Sequence, residues 1–365
     1  MRVGLTVLLC AVLAAPAFAS QDALGQARQL RMAGRAGEAA DVLERALRTA
    51  PNDETMLGLY GLCLLDSGRT ADAVALVESV GSYEGRDTRL HTTIGRVCRL
   101  KGDGAGAVRA FRAALATKPD AVEASVELVG VHLAENRFGA ALAAAEALER
   151  LVPDMGRRLA AQALAAHAHR HHMIGEESLG AAIDKYREAL AKTPEDTSLA
   201  RQLVECLLQA IRIDEARDLT ERTFPGEEQR AERLYYLARC LDVLSDARGA
   251  RALYLEVLVA HPGHPPALLE LAKLDLDAGN PAAAKAWLAQ LPAEGGSARF
   301  HLLSGLAEMG VGNDEAAEAE LRRALALDSG KSNTKAMYHL GRLLVRTGRS
   351  EEGRRFLADV AAAQR

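Results

Sequence analysis

The chain has 365 residues, 49% hydrophobic but only 4% aromatic, with 45 Lys and Arg set against 49 Asp and Glu. That slight acidity argues against a nucleic-acid backbone as the main partner. Abundant Ala and scarce β-branched alternation exclude a mainly β fold and suit short helices packed through small residues.

The first segment stands apart from the rest. Arg2 precedes an uncharged apolar run over residues 3–15, and Ala17-Phe18-Ala19 has the small-x-small form of a processing site. Residues 1–19 therefore read as a secretory signal peptide cut before Ser20. The apolar run is short for a membrane span and Pro16 interrupts it. The remainder is expected to be exported, to a bacterial periplasm or beyond.

From residue 20 onward one phrase recurs. It reads Ala39, Leu43, Ala46, Pro51, then Ala107, Phe111, Ala114, Pro119. It returns as Ala141, Ala145, Leu148, Pro153, as Ala182, Tyr186, Ala189, Pro194, and as Ala250, Tyr254, Val257, Pro262. The leading Ala moves by 68, 34, 41 and 68 residues, so the underlying period is 34 with one unit seven residues too long. A fixed period of this size signals stacked repeats. A Gly stands twelve residues ahead of the small opening residue in several units, as in Gly61, Gly95, Gly305 and Gly341. Between the halves a turn residue holds one register: Gly34, Gly68, Gly102, Asn136, Gly279, Gly312 and Gly348. Gly and Asn tolerate the left-handed backbone that ends a helix, and Pro stops the next one. Each unit reads as helix, turn, helix, stop.

In these residues the chain resembles the tetratricopeptide repeat family. The resemblance implies an all-α, right-handed α-solenoid of about ten stacked helix-turn-helix units. Their expected starts lie near residues 20, 54, 88, 122, 163, 197, 231, 265, 298 and 334. Four of them, the second, sixth, eighth and tenth, are degenerate because their closing Pro is absent or displaced. Grouped along the chain, the units fall into 20–155, 156–297 and 298–365. The surplus of the long unit either lengthens a helix around residues 155–173 or enlarges the turn over residues 175–180.

The family's first helices line a concave groove, and the same places here imply a partner-binding face. Its N-terminal part carries Arg28, Arg31, Arg89, Arg96 and Arg99 as a basic strip. The centre is mixed, with Tyr235 and Arg239. The C-terminal part is apolar, with Leu302, Leu306 and Met309, followed by Tyr338 and Arg342. The ninth places hold no Asn, so the family's clamp for a peptide's terminal carboxylate is not expected. What remains is a protein partner, a peptide or helix lying in the groove with apolar anchors and Arg-paired acids. An anionic polysaccharide or small ligand on the Arg strip is the alternative.

Sites for catalysis are absent from the pattern. There is no GxSxG elbow, Walker A loop, GxGxxG fingerprint or paired CxxC, so neither an enzyme activity nor a cofactor is expected. His167, His169, His171 and His172 form a cluster in which His167 and His171 share one helix face at metal-ligand spacing. Without HExxH or nearby Cys they are weak metal candidates. Cys63, Cys98, Cys206 and Cys240 sit at nearly equivalent repeat places, about 10 Å apart in adjacent units, too far for disulfides.

Overall fold

A computed structural model describes residues 21–174, 179–292, 296–327 and 331–363 of the chain. The signal-peptide expectation for residues 1–19 lies outside the described residues. The described residues form helices joined by turns, with no strand among them. Residues 21–32 make α1, followed by α2 (Ala36–Leu47), α3 (Glu54–Asp66), α4 (Thr70–Val80), α5 (Thr88–Leu100) and α6 (Gly104–Thr117). Then come α7 (Val122–Ala134), α8 (Phe138–Glu149), α9 (Pro153–Ile174), α10 (Leu179–Lys192), α11 (Thr197–Gln209) and α12 (Ile213–Thr223). The chain continues with α13 (Arg230–Val243), α14 (Ala247–Ala260), α15 (Pro265–Asp277) and α16 (Pro281–Leu288). It closes with α17 (Ala298–Val311), α18 (Asp314–Leu327), α19 (Lys331–Arg346) and α20 (Ser350–Ala363). The described residues form an all-α helical-repeat fold of twenty helices, arranged in sequence as ten successive pairs. The degenerate second, eighth and tenth units fold as pairs, α3 with α4, α15 with α16 and α19 with α20, although α16 stops after eight residues.

Contacts divide the chain into two compact units, one ending at Leu199 and one beginning at Ala200. The groupings expected at residues 155 and 297 fall inside these units. In the N-terminal unit, Ala27, Ala39, Leu43, Met56, Leu59 and Ala73 form one core cluster. Ala107, Phe111, Ala114, Ala124 and Leu128 form the next. In the C-terminal unit, Ala272, Ala284, Leu288, Phe300 and Leu303 form one cluster, and Ala317, Leu321, Ala336, Leu340 and Leu344 another. Every residue of the recurring phrase that precedes its Pro is fully or nearly fully buried, save Ala46 at the edge.

The turn register is borne out in the backbone. Gly34, Gly68, Gly102, Asn136, Gly279, Gly312 and Gly348 all have φ between 56° and 89°. Two further residues take the same conformation in the units where no Gly or Asn was available: Ile211 at φ 57° and Ser245 at φ 63°. At all nine turns the next residue's N–H donates back to a carbonyl five residues earlier. Arg35 reaches Leu30, Arg212 reaches Leu207 and Asn280 reaches Asp275, at 2.9, 2.8 and 2.7 Å. This is the Schellman closure, which satisfies carbonyls left over at the helix end.

Sequence spacing placed the fifth unit at residue 163, but its first helix begins ten residues earlier. Pro153 is the first residue of α9, where its missing N–H costs nothing. The same Pro both ends the fourth unit and starts the fifth. The seven surplus residues lengthen α9 to 22 residues, against 11 to 14 for most of the other helices. Among the described residues no helix is long and apolar enough to cross a membrane.

The close-packing glycine also has a measurable reason. A Cβ on Gly95 would lie 2.5 Å from the ring of Phe111, closer than any real contact. Two opposite effects of substitution follow. Gly95→Ala should lower stability by about 1–3 kcal/mol through overpacking, although Ala is ordinarily the better helix former. Ile211→Gly should raise stability by about 1 kcal/mol, because a β-branched residue is strained at positive φ and this side chain is 73% exposed. Urea unfolding of the two variants beside the parent checks both signs.

Candidate partner-binding face

The first helices of successive pairs lie beside one another, α3 against α5 and α5 against α7 in the N-terminal unit, α15 against α17 and α17 against α19 in the C-terminal one. Side chains projecting from this layer therefore meet across repeats. They do so as a ladder of alternating charge. Arg31 of α1 donates to Asp66 of α3 at 2.7 Å and to Glu123 of α7 at 3.1 Å. Arg96 of α5 donates to the same Asp66 at 2.9 Å and lies 3.3 Å from Glu127, which Arg99 also approaches at 3.3 Å. Burial alone would raise the Asp66 carboxyl, yet the hydrogen bonds from Arg31 and Arg96 prevail and hold it below the usual carboxylate range.

The expected basic strip is thus corrected. Arg31, Arg96 and Arg99 share three carboxylates and are locally neutralised. The groove places taken from the family overlooked Asp66 and Glu127, which stand one residue beyond and between those places. Arg28 is exposed at the start of the layer. Arg89 instead lines a cleft of about 450 Å³ with Arg86 and Lys118 and with the carboxylates Asp87, Asp120 and Glu123. No ion pair engages Arg86, Arg89 or Lys118 among the described residues. Glu123 belongs to both the ladder and the cleft, so the cleft opens on the same layer.

The C-terminal unit repeats the ladder with deeper burial. Arg201 pairs with Glu232 at 2.6 Å, and Arg239 donates to Glu205 at 2.9 Å. Glu270, only 3% exposed, is held by both guanidinium nitrogens of Arg299 at 2.9 and 2.6 Å, while Arg239 lies 3.8 Å away. Lys273 reaches Asp242 at 3.0 Å. Burial would weaken the Arg239 proton, but Glu205, Tyr235 and Glu270 hold that guanidinium more firmly protonated than usual. Burial also raises the Tyr235 phenol.

The remaining expected residues fall into two groups. Tyr235 is buried, its hydroxyl accepting from Arg239 at 3.4 Å and its ring 5.5 Å from that of His264. Leu302 is also buried and belongs to the core, while Leu306 and Met309 are half-buried against the same cluster. Tyr338 stays exposed with the Arg342 guanidinium 5.6 Å from its ring centre. Among the described residues Cys63, Cys98, Cys206 and Cys240 are all free, as their spacing implied. Residues missed by the sequence reading, Asp66, Glu127 and Glu270, become visible only when neighbouring helices are set in register.

Sequence profiles described as tetratricopeptide repeat match residues 30–97 and 244–306, and a second pair of matches covers 101–156 and 302–365. Together they span well over half of the chain. It belongs to the tetratricopeptide repeat family. No curated protein matches the sequence. Among solved structures, yeast Tom70 is similar in fold, with a TM-score of 0.50 at 12% identity over 95% of this chain and 85% of that one. The Cut9–Hcn1 hetero-tetramer of the APC/C matches with a TM-score of 0.46 at 13% identity, over 94% and 72% of the two chains. MamA from Desulfovibrio magneticus matches over 46% of this chain and 94% of its own, at 24% identity and a TM-score of 0.38. Membership of this family supports a protein-binding scaffold.

The Glu270 clasp yields a direct test. Arg299→Ala leaves a buried carboxylate with its nearest remaining cation 3.8 Å away and should destabilise the chain by about 1–3 kcal/mol, discounted for the half-exposed guanidinium. Pairing it with Glu270→Gln in a double-mutant cycle should recover part of that loss, which thermal unfolding of the four chains would measure.

Proposed function

We infer that the protein is an exported, non-enzymatic scaffold that holds an extended segment or helix of a protein partner along its first-helix layer. Its setting would be envelope assembly, secretion or polymer export. The observation that carries this reading is the cleft beside the N-terminal ladder. There Arg86, Arg89 and Lys118, which make no ion pair among the described residues, line about 450 Å³ of space together with Asp87, Asp120 and Glu123, so the cleft offers cations and carboxylates side by side. A cation without an internal partner can donate to an acidic side chain from outside. The half-buried Leu306 and Met309, with exposed Tyr338 and Arg342 on the adjacent helix, offer apolar anchorage in the C-terminal unit.

Site-specific photo-crosslinking in the native host tests the proposal. A crosslinker at Arg89 or Tyr338 should capture one and the same protein, and one at exposed Val259 on the second helix α14 should not. Recovered chains should begin at Ser20. Capture from Val259 alone, or chains retaining residues 1–19, would overturn the reading.

A further inference from the structure

The long helix α9 carries a pair of imidazoles that the scaffold reading does not use. His167 and His171 stand one turn apart, with ring centres 4.7 Å apart and their Nε2 atoms separated by 3.2 Å. Both are half-buried, whereas His169 on another face is exposed. The ring of Phe138 from α8 lies stacked on His167 at 5.1 Å and 21°, which fixes the plane of that imidazole. The pair is therefore oriented by packing from a neighbouring helix as well as by its own helix.

The separation of the two nitrogens is chemically specific. Zinc binds imidazole nitrogen at about 2.0–2.1 Å, so two such ligands at tetrahedral or right-angle geometry stand about 2.9–3.4 Å apart. The observed 3.2 Å falls inside that interval. The two Nε2 atoms also lie within hydrogen-bond distance of one another, so both face the same point. We propose that His167 and His171 chelate a single borderline transition-metal ion, such as Zn(II), Ni(II) or Cu(II), through their Nε2 atoms.

The surroundings agree with this assignment. Lys185 and Glu188 on α10 are the charged groups facing the pair, and they neutralise one another at 2.7 Å. Among the described residues no third His, Cys, Asp or Glu closes the set. The ion would keep open positions occupied by water, as in an exchangeable rather than a structural site.

Isothermal titration of the untagged chain with Zn(II) or Ni(II) in a non-chelating buffer tests the proposal. The expected result is one ion per chain, with affinity falling on the order of tenfold or more in His167→Gln and in His171→Gln. His169→Gln should leave the binding unchanged, and circular dichroism would verify that each variant keeps the parent's helix content. A parallel Cu(II) electron paramagnetic resonance spectrum should show two imidazole nitrogens. No stoichiometric binding by the parent, or binding equally strong in His167→Gln and His171→Gln, would overturn it.

Discussion

The fold depends on one contact repeated ten times: a residue with almost no side chain where the second helix of each pair crosses its neighbours. Ala39, Ala73, Ala107, Ala141, Ala182, Ala216, Ala250, Ala284 and Ala317 occupy this place with 0% exposure, and Gly353 completes the series in the last pair. Helix axes can approach to about 8–10 Å only if the residues between them are small. A larger side chain here would push a pair apart and expose the Leu, Tyr and Phe residues that flank it. No single pair can bury its apolar face alone, so stability is shared between neighbours. That explains how the short α16 persists: Ala284 and Leu288 still pack against Ala272, Phe300 and Ala307 from helices on either side.

The second constraint is closure of the turn. A Schellman hydrogen bond requires one residue in the left-handed region, and seven of nine turns meet it with Gly or Asn. At Ile211 and Ser245 the surrounding pair forces the conformation on a residue that does not favour it. The geometry survives because the helices on each side have already fixed the path of the chain. Local preference and tertiary demand agree along most of the molecule and part company at these two positions.

The first-helix layer is where neighbouring repeats exchange charge. Several of its cations, among them Arg31, Arg96, Arg239 and Arg299, meet a carboxylate from another repeat, which ties the repeats together. Charges that stay unpaired, around the cleft of Arg86, Arg89 and Lys118, acquire meaning from that contrast. A uniformly basic groove would attract any polyanion, whereas a small cleft lined by both Arg86, Arg89 and Lys118 and Asp87, Asp120 and Glu123 has no such general pull. The histidine pair on α9 is a separate feature, located where the repeat is longest.

The sequence by itself determined the all-α repeat architecture, the turn register and the free state of the cysteines. Each follows from spacing along one chain: the 34-residue period, the recurrent Gly or Asn, and the equivalent places of Cys63, Cys206 and Cys240. It also placed His167 and His171 on one face, since four residues make about one helical turn. Only the tertiary structure decided that Pro153 opens α9, that Ile211 and Ser245 close turns, and that Leu302 and Tyr235 belong to the interior. It alone paired Arg31 and Arg96 with Asp66, and Arg299 with Glu270. These pairings join residues some 30 positions apart on different helices. Their meeting depends on the rotation of one helix against the next, which packing sets and periodicity does not.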